Sequence, residues 1–169
     1  MKWLKVVAVV LVIGIAFIFG RTTAPEPLTE YPEISDKEEI RQVADKYLSS
    51  AAYSKDGLIQ ALIDYEHFDK VTTKDIVSEL DVDWQKQAEK ELNQYLNSSG
   101  FSESQIREYL LRDLYTEAQI DKAIETVNPD WKEQARMCAE NLKSSGVNKA
   151  NITATLLARG FTLEQINED

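Results

Sequence analysis

A single cysteine, Cys138, and a single histidine, His67, occur in 169 residues. One cysteine closes no intrachain disulfide, and one of each excludes a Cys/His zinc site. No Ser or Cys nucleophile is arranged with His67, so no catalytic residue is expected. Carboxylates abound, yet no pocket signature pairs two of them as acid and base. Asp81, Asp83 and Asp130 lack the D-x-D-x-D-G-x5-E spacing of a calcium loop and suit helix N-termini instead. Neither a metal nor a cofactor is expected. Basic side chains are also scarce, 19 against 29 acidic ones, for a formal charge of −10. A chain of this sign repels phosphate backbones, which argues against nucleic acid.

The deficit of positive charge is uneven. Lys2, Lys5 and Arg21 flank an N-terminal apolar run, so everything beyond them carries a net −13. Residues 22–34 carry −3, residues 35–80 carry −4, residues 81–127 carry −5 and residues 128–169 only −1. A basic polypeptide or a cation is the natural complement of such a field, although acidity also serves solubility alone.

The apolar run spans Val6 to Gly20 and reaches back through Trp3 and Leu4. It has the length of a long signal-peptide core and lies near the lower bound for a membrane span. Bulky Phe17, Ile18 and Phe19 close the run, no A-x-A follows, and Pro25 comes directly after Ala24. An uncleaved anchor over residues 1–21 is therefore expected. Lys2 and Lys5 place its N-terminus in the cytoplasm and the remainder outside the cell membrane. Residues 22–34 follow, and the segment 21–34 holds three of the four prolines, predicting an extended linker.

Beyond the linker the sequence repeats itself. Asp83-Trp84-Gln85-Lys86-Gln87-Ala88 returns 47 residues later as Asp130-Trp131-Lys132-Glu133-Gln134-Ala135. An aromatic precedes each Trp by 16 residues, Phe68 and then Tyr115, and Phe161 would open a third copy. Fixed-period similarity predicts an array of small helical units over 35–80, 81–127 and 128–169. Arrays of this kind more often bind than catalyse.

Each unit reads as three short helices. The first carries an apolar stripe: Ile40, Val43, Ala44, Tyr47 and Leu48, then Trp84, Ala88, Leu92, Tyr95 and Leu96, then Trp131, Ala135, Cys138, Ala139 and Leu142. Ser35 is expected to cap the first of these helices and Asn128 the third. Ser/Gly-rich turns follow, and Ser54, Ser102 and Asn148 open the second helices. Asp69, Thr116 and Thr162 sit at cap positions of the third helices, the last two with capping-box spacing. The stripes place Ile40, Trp84 and Trp131 at equivalent core positions. Phe68, Tyr115 and Phe161 are expected to fill the gap between second and third helices. Cys138 reads as a small buried hydrophobe.

One pattern is family-like: Tyr47-Leu48-Ser49, Tyr53-Ser54, Gly57-Leu58-Ile59, Phe68-Asp69 and Val82-Asp83-Trp84-x-x-Gln87-Ala88. Over about residues 38–169 it resembles the repeat of the Ltp family, the host cell surface-exposed lipoproteins of Gram-positive bacteria and their prophages. The resemblance implies membrane-anchored tandem helix-turn-helix modules. It further implies superinfection exclusion, in which injection of incoming phage DNA is blocked through the phage tape measure protein. Family members carry a lipobox cysteine after the signal; here the only cysteine is Cys138, so the apolar helix must replace the lipid. A weaker similarity, three short helices with a Gly160-Phe161 turn, is to ubiquitin-associated domains.

A membrane-tethered, monomeric plug is thus expected to capture a basic segment of a phage protein. Asp64, Glu66, Asp69, Asp113 and Glu117 are the acids expected to make contact. A chromosomal surface module for a cell-wall or host ligand, with no phage role, stays open as the alternative.

Overall fold

The computed structural model describes residues 36–167. The anchor expected over 1–21, the linker over 22–34 and the cap at Ser35 lie outside the described residues. Nine helices and no strand occur among the described residues. They are α1 (Asp36–Ser50), α2 (Lys55–Asp64), α3 (Lys70–Glu79), α4 (Trp84–Leu96), α5 (Glu103–Arg112), α6 (Glu117–Val127), α7 (Trp131–Ser144), α8 (Lys149–Ala158) and α9 (Leu163–Ile166). None of them is long and apolar enough to cross a membrane.

Short polar side chains set the helix starts. Ser54, Asp69, Asp83, Ser102, Thr116, Asp130, Asn148 and Thr162 each accept a hydrogen bond from a first-turn N–H. At Ser102, Thr116 and Thr162 a glutamine three residues on reciprocates, closing a full capping box. Asn128 departs from expectation. It ends α6 in the left-handed conformation (φ 47°), while Asp130 caps α7 by accepting from Glu133 N–H at 3.0 Å. Asparagine tolerates that conformation at low cost, and the carboxylate two residues later is the stronger acceptor at a helix N-terminus.

The second and third helices of each group meet at a tight turn with one left-handed residue: His67, Leu114 or Gly160. The next N–H, from Phe68, Tyr115 or Phe161, then donates back to the carbonyl of Leu62, Leu110 or Leu156. His67 is thus a turn residue, at the place Gly160 fills without a side chain.

Three hydrophobic clusters result, each assembled mainly from three consecutive helices. Ile40, Ala44, Leu58, Leu62, Ile76 and Val77 form the first. Leu92, Ile106, Leu110, Tyr115, Ile120 and Ala123 dominate the second, and Ala135, Cys138, Leu142, Leu156 and Phe161 the third. Burying each large aliphatic side chain contributes about 1.5–3 kcal/mol, so the first two clusters are the better endowed. Helix packing is chiefly within a triplet: α1 with α2 and α3, α4 with α5 and α6, α7 with α8 and α9. All three triplets nonetheless belong to one compact body.

The tryptophans link the triplets. Trp84 is partly buried and packs against the first cluster; Trp131, likewise, packs against the second. Each opens its own helix while reaching back to the preceding triplet. This corrects the equivalence with Ile40. Ile40 lies 14 residues before the cap Ser54, as Ala88 lies 14 before Ser102, and both are fully buried. The tryptophan's counterpart in α1 is Asp36, which is exposed. An i, i+4 slip keeps a residue on the same helix face, so the stripes alone align equally well either way.

Candidate functional site

The two junctions between triplets are built differently, and the difference opens a cleft. At the second–third junction, Gly100 adopts φ +73° and lies hard against α7. A Cβ there would stand 2.4 Å from Cys138 N and 2.6 Å from Gln134 O. Gln134, buried, completes the seal. Its amide donates to Leu96 O at 3.1 Å and accepts from Phe101 N–H at 3.2 Å. In the third loop the corresponding groups bond directly, Val147 N–H to Leu142 O at 3.0 Å.

At the first–second junction the residue two before the cap serine is Ala52, not glycine. Its methyl group excludes the backbone approach that Gly100 permits. The box glutamine here, Gln87, has its Oε1 buried with no protein hydrogen-bond partner. What holds this junction includes Ser54, whose hydroxyl accepts from Gly57 N–H at 2.9 Å and donates to Asp113 O at 2.7 Å. Ser102 repeats this device one triplet on by donating to Arg159 O. The N-terminus of α2 thus meets the C-terminus of α5, and that of α5 meets the C-terminus of α8.

Between Ala51–Ser54 and α4 lies a cleft of about 520 Å³. Tyr53, Tyr65, Tyr95 and Tyr115 give it aromatic walls; Asp64, Glu91 and Asp113 supply carboxylates. Burial, and then the nearby Asp113 carboxylate, hold the Glu91 pKa above the usual glutamate range. The Tyr95 hydroxyl donates to Asp113, and burial with that bond pushes its pKa up to about 12. Burial also raises Tyr115, whose hydroxyl donates to Gln87 O at 3.3 Å. These phenols stay protonated and act as donors. Chemically, the arrangement suits a cationic group: carboxylates supply charge, and tyrosine rings supply flat, electron-rich faces.

The acids expected from sequence divide accordingly. Asp64 and Asp113 come together in this cleft. Glu66 lies outside its lining and accepts from the Tyr47 hydroxyl at 2.8 Å, raising that phenol's pKa. Asp69 is committed to capping: Thr72 N–H and its hydroxyl both donate to it at 2.9 Å, which lowers its pKa. Glu117 stands exposed in the first turn of α6, away from the cleft. Of the residues expected in the core, Ile40, Tyr115 and Phe161 are buried, while Trp84, Trp131 and Phe68 are partly buried at cluster edges.

Family models, curated proteins and solved structures show no match to this chain.

Sequence reasoning missed Glu91. Its signal is an interruption. Three residues beyond the buried Ile40, Ala88 and Ala135 stand Val43, Glu91 and Cys138, so one carboxylate sits in an otherwise apolar stripe. Among the described residues no group of three His, Cys, Asp or Glu side chains is arranged to hold a metal.

Proposed function

We propose that this protein is a membrane-anchored, externally displayed array of three helical modules that blocks superinfecting phage. It captures a basic segment of the phage tape measure protein and so prevents DNA injection. The observation that carries the reading is the acidic, tyrosine-walled cleft between the first two triplets, where the chain's negative charge is concentrated. Residues 35–127 carry −9 and residues 128–169 only −1, so a cationic polymer is steered to the first two modules. The sequence resemblance to the Ltp repeat supplies the phage context, and the apolar run at residues 6–20 supplies the anchor in place of a lipid. The D-W-x-x-Q-A box is the fastener between modules: Asp caps, Trp packs backward, and Gln134 stitches the preceding loop. The first module has no predecessor within the array and no such box.

The triple variant D64N/E91Q/D113N removes three charges while retaining hydrogen-bonding shape. It is expected to lose tape-measure binding and host protection together, and wild-type affinity would be steeply salt-dependent. Unchanged protection by that variant would refute the electrostatic reading.

A further inference from the structure

We infer that the cleft between the first and second triplets is a socket for an arginine side chain of a basic polypeptide, with Arg112 as its built-in competitor. The inference rests on the proposed function and names the point of contact within it.

Arg112 ends α5, and its side chain is 65% exposed at the cleft. Its guanidinium carbon lies 5.0 Å from the centroid of the Tyr109 ring. Nη2 donates to the Tyr95 hydroxyl at 3.2 Å, and Nε to an Asp113 carboxylate oxygen at 3.4 Å. The protein therefore already seats one guanidinium by ring stacking and a fork of donors, a combination that ammonium groups do not reproduce. The cleft has room and charge for another. Asp64, Glu91 and Asp113 line it, and Arg112 is the only basic residue among the lining groups. Among the described residues Asp64 has no ion-pair partner, and Tyr65 is 76% exposed, an unusual placement for so large a ring. Glu91 is held half-buried in this like-charged company, where an arriving cation would relieve it.

Geometry limits the socket to this junction. At the second–third junction Gly100 and Gln134 bring the loop directly against α7 instead. An incoming arginine would meet the free carboxylates first and then exchange with Arg112 for Asp113 and the Tyr95 hydroxyl. Because Arg112 is exposed and its contact to Asp113 is long at 3.4 Å, that exchange costs little.

The test titrates the full-length chain with a blocked pentapeptide of alternating glycine and arginine, and with its lysine twin, followed by amide NMR shifts. The expected result is shifts centred on Tyr53, Tyr65, Glu91 and Asp113, with weaker binding of the lysine peptide. R112Q should tighten arginine-peptide binding about two- to fivefold, the range of one exposed ion pair released. E91Q should weaken it. Shifts spread over every acidic face with equal arginine and lysine affinity would overturn the socket, as would unchanged or weaker binding by R112Q. Peptide binding is read without phage, so failure of the socket and failure of exclusion are separate outcomes.

Discussion

Glycine at 100 and alanine at 52 differ by one methyl group, and on that difference the site depends. Gly100→Ala puts a Cβ into backbone atoms of α7 as well as forcing alanine to φ +73°. Gly146 has a similar φ of +85° but nothing within 4 Å of its Cβ position, so Gly146→Ala isolates the conformational cost, about 1–2 kcal/mol. Gly100→Ala should cost at least about 2 kcal/mol more, since rigid backbone must move. Chemical denaturation of the two variants compares them directly, and equal losses would mean that α7 is not pressed against the loop. Glu91 makes the opposite kind of prediction. Its folded pKa is raised, so the protonated form favours folding; that contribution is complete below 4.5 and is lost as pH rises through the raised value. Glu91→Gln should therefore stabilise the protein at pH 7, with the gain vanishing at acid pH. Melting temperatures of both proteins compared at acid and at neutral pH would show the convergence. A carboxylate kept in place at a cost to stability is what a binding cleft requires.

At the scale of elements, the serine caps serve two helices at once. Ser102 accepts in its own capping box and donates to Arg159 O, so Ser102→Ala removes a cap and leaves a carbonyl at the α8 C-terminus without its donor. A loss of about 2–3 kcal/mol is expected. Thr116 closes the same kind of box but, among the described residues, its side chain bonds only to Gln119 of its own helix, and Thr116→Ala should cost only about 1 kcal/mol. If both alanine variants lose equally, the serine-to-carbonyl link contributes nothing. Helix starts such as these were legible in the sequence because a cap is local: Thr116-x-x-Gln119 and Thr162-x-x-Gln165 declare themselves within four residues. The backward reach of the tryptophans was not legible. A stripe reveals which face of α4 is apolar; it does not reveal whether the apolar neighbour is its own triplet or the one before. The role of Gln134 was hidden for a similar reason, since its partners, Leu96 O and Phe101 N–H, are backbone groups more than 30 residues away. Glu91 was legible in principle, as the one charge at a stripe position held elsewhere by Val43 and Cys138.

Taken as a whole molecule, the chain divides its labour along its length. Two acidic triplets carry the cleft, and a nearly neutral third is stitched to them by Trp131, Gln134 and Ser102. Under the proposed function, the linker and apolar run expected from the sequence would hold this body outside a membrane. The central claim is that the protein stops phage DNA after the particle has attached. It is tested most directly by expressing the full chain in a sensitive Gram-positive host and measuring adsorption and DNA injection separately. The account predicts normal adsorption with injection blocked, and blocking restored to susceptibility by D64N/E91Q/D113N. Infection proceeding at the rate of the untransformed host, across the phages to which that host is sensitive, would contradict it.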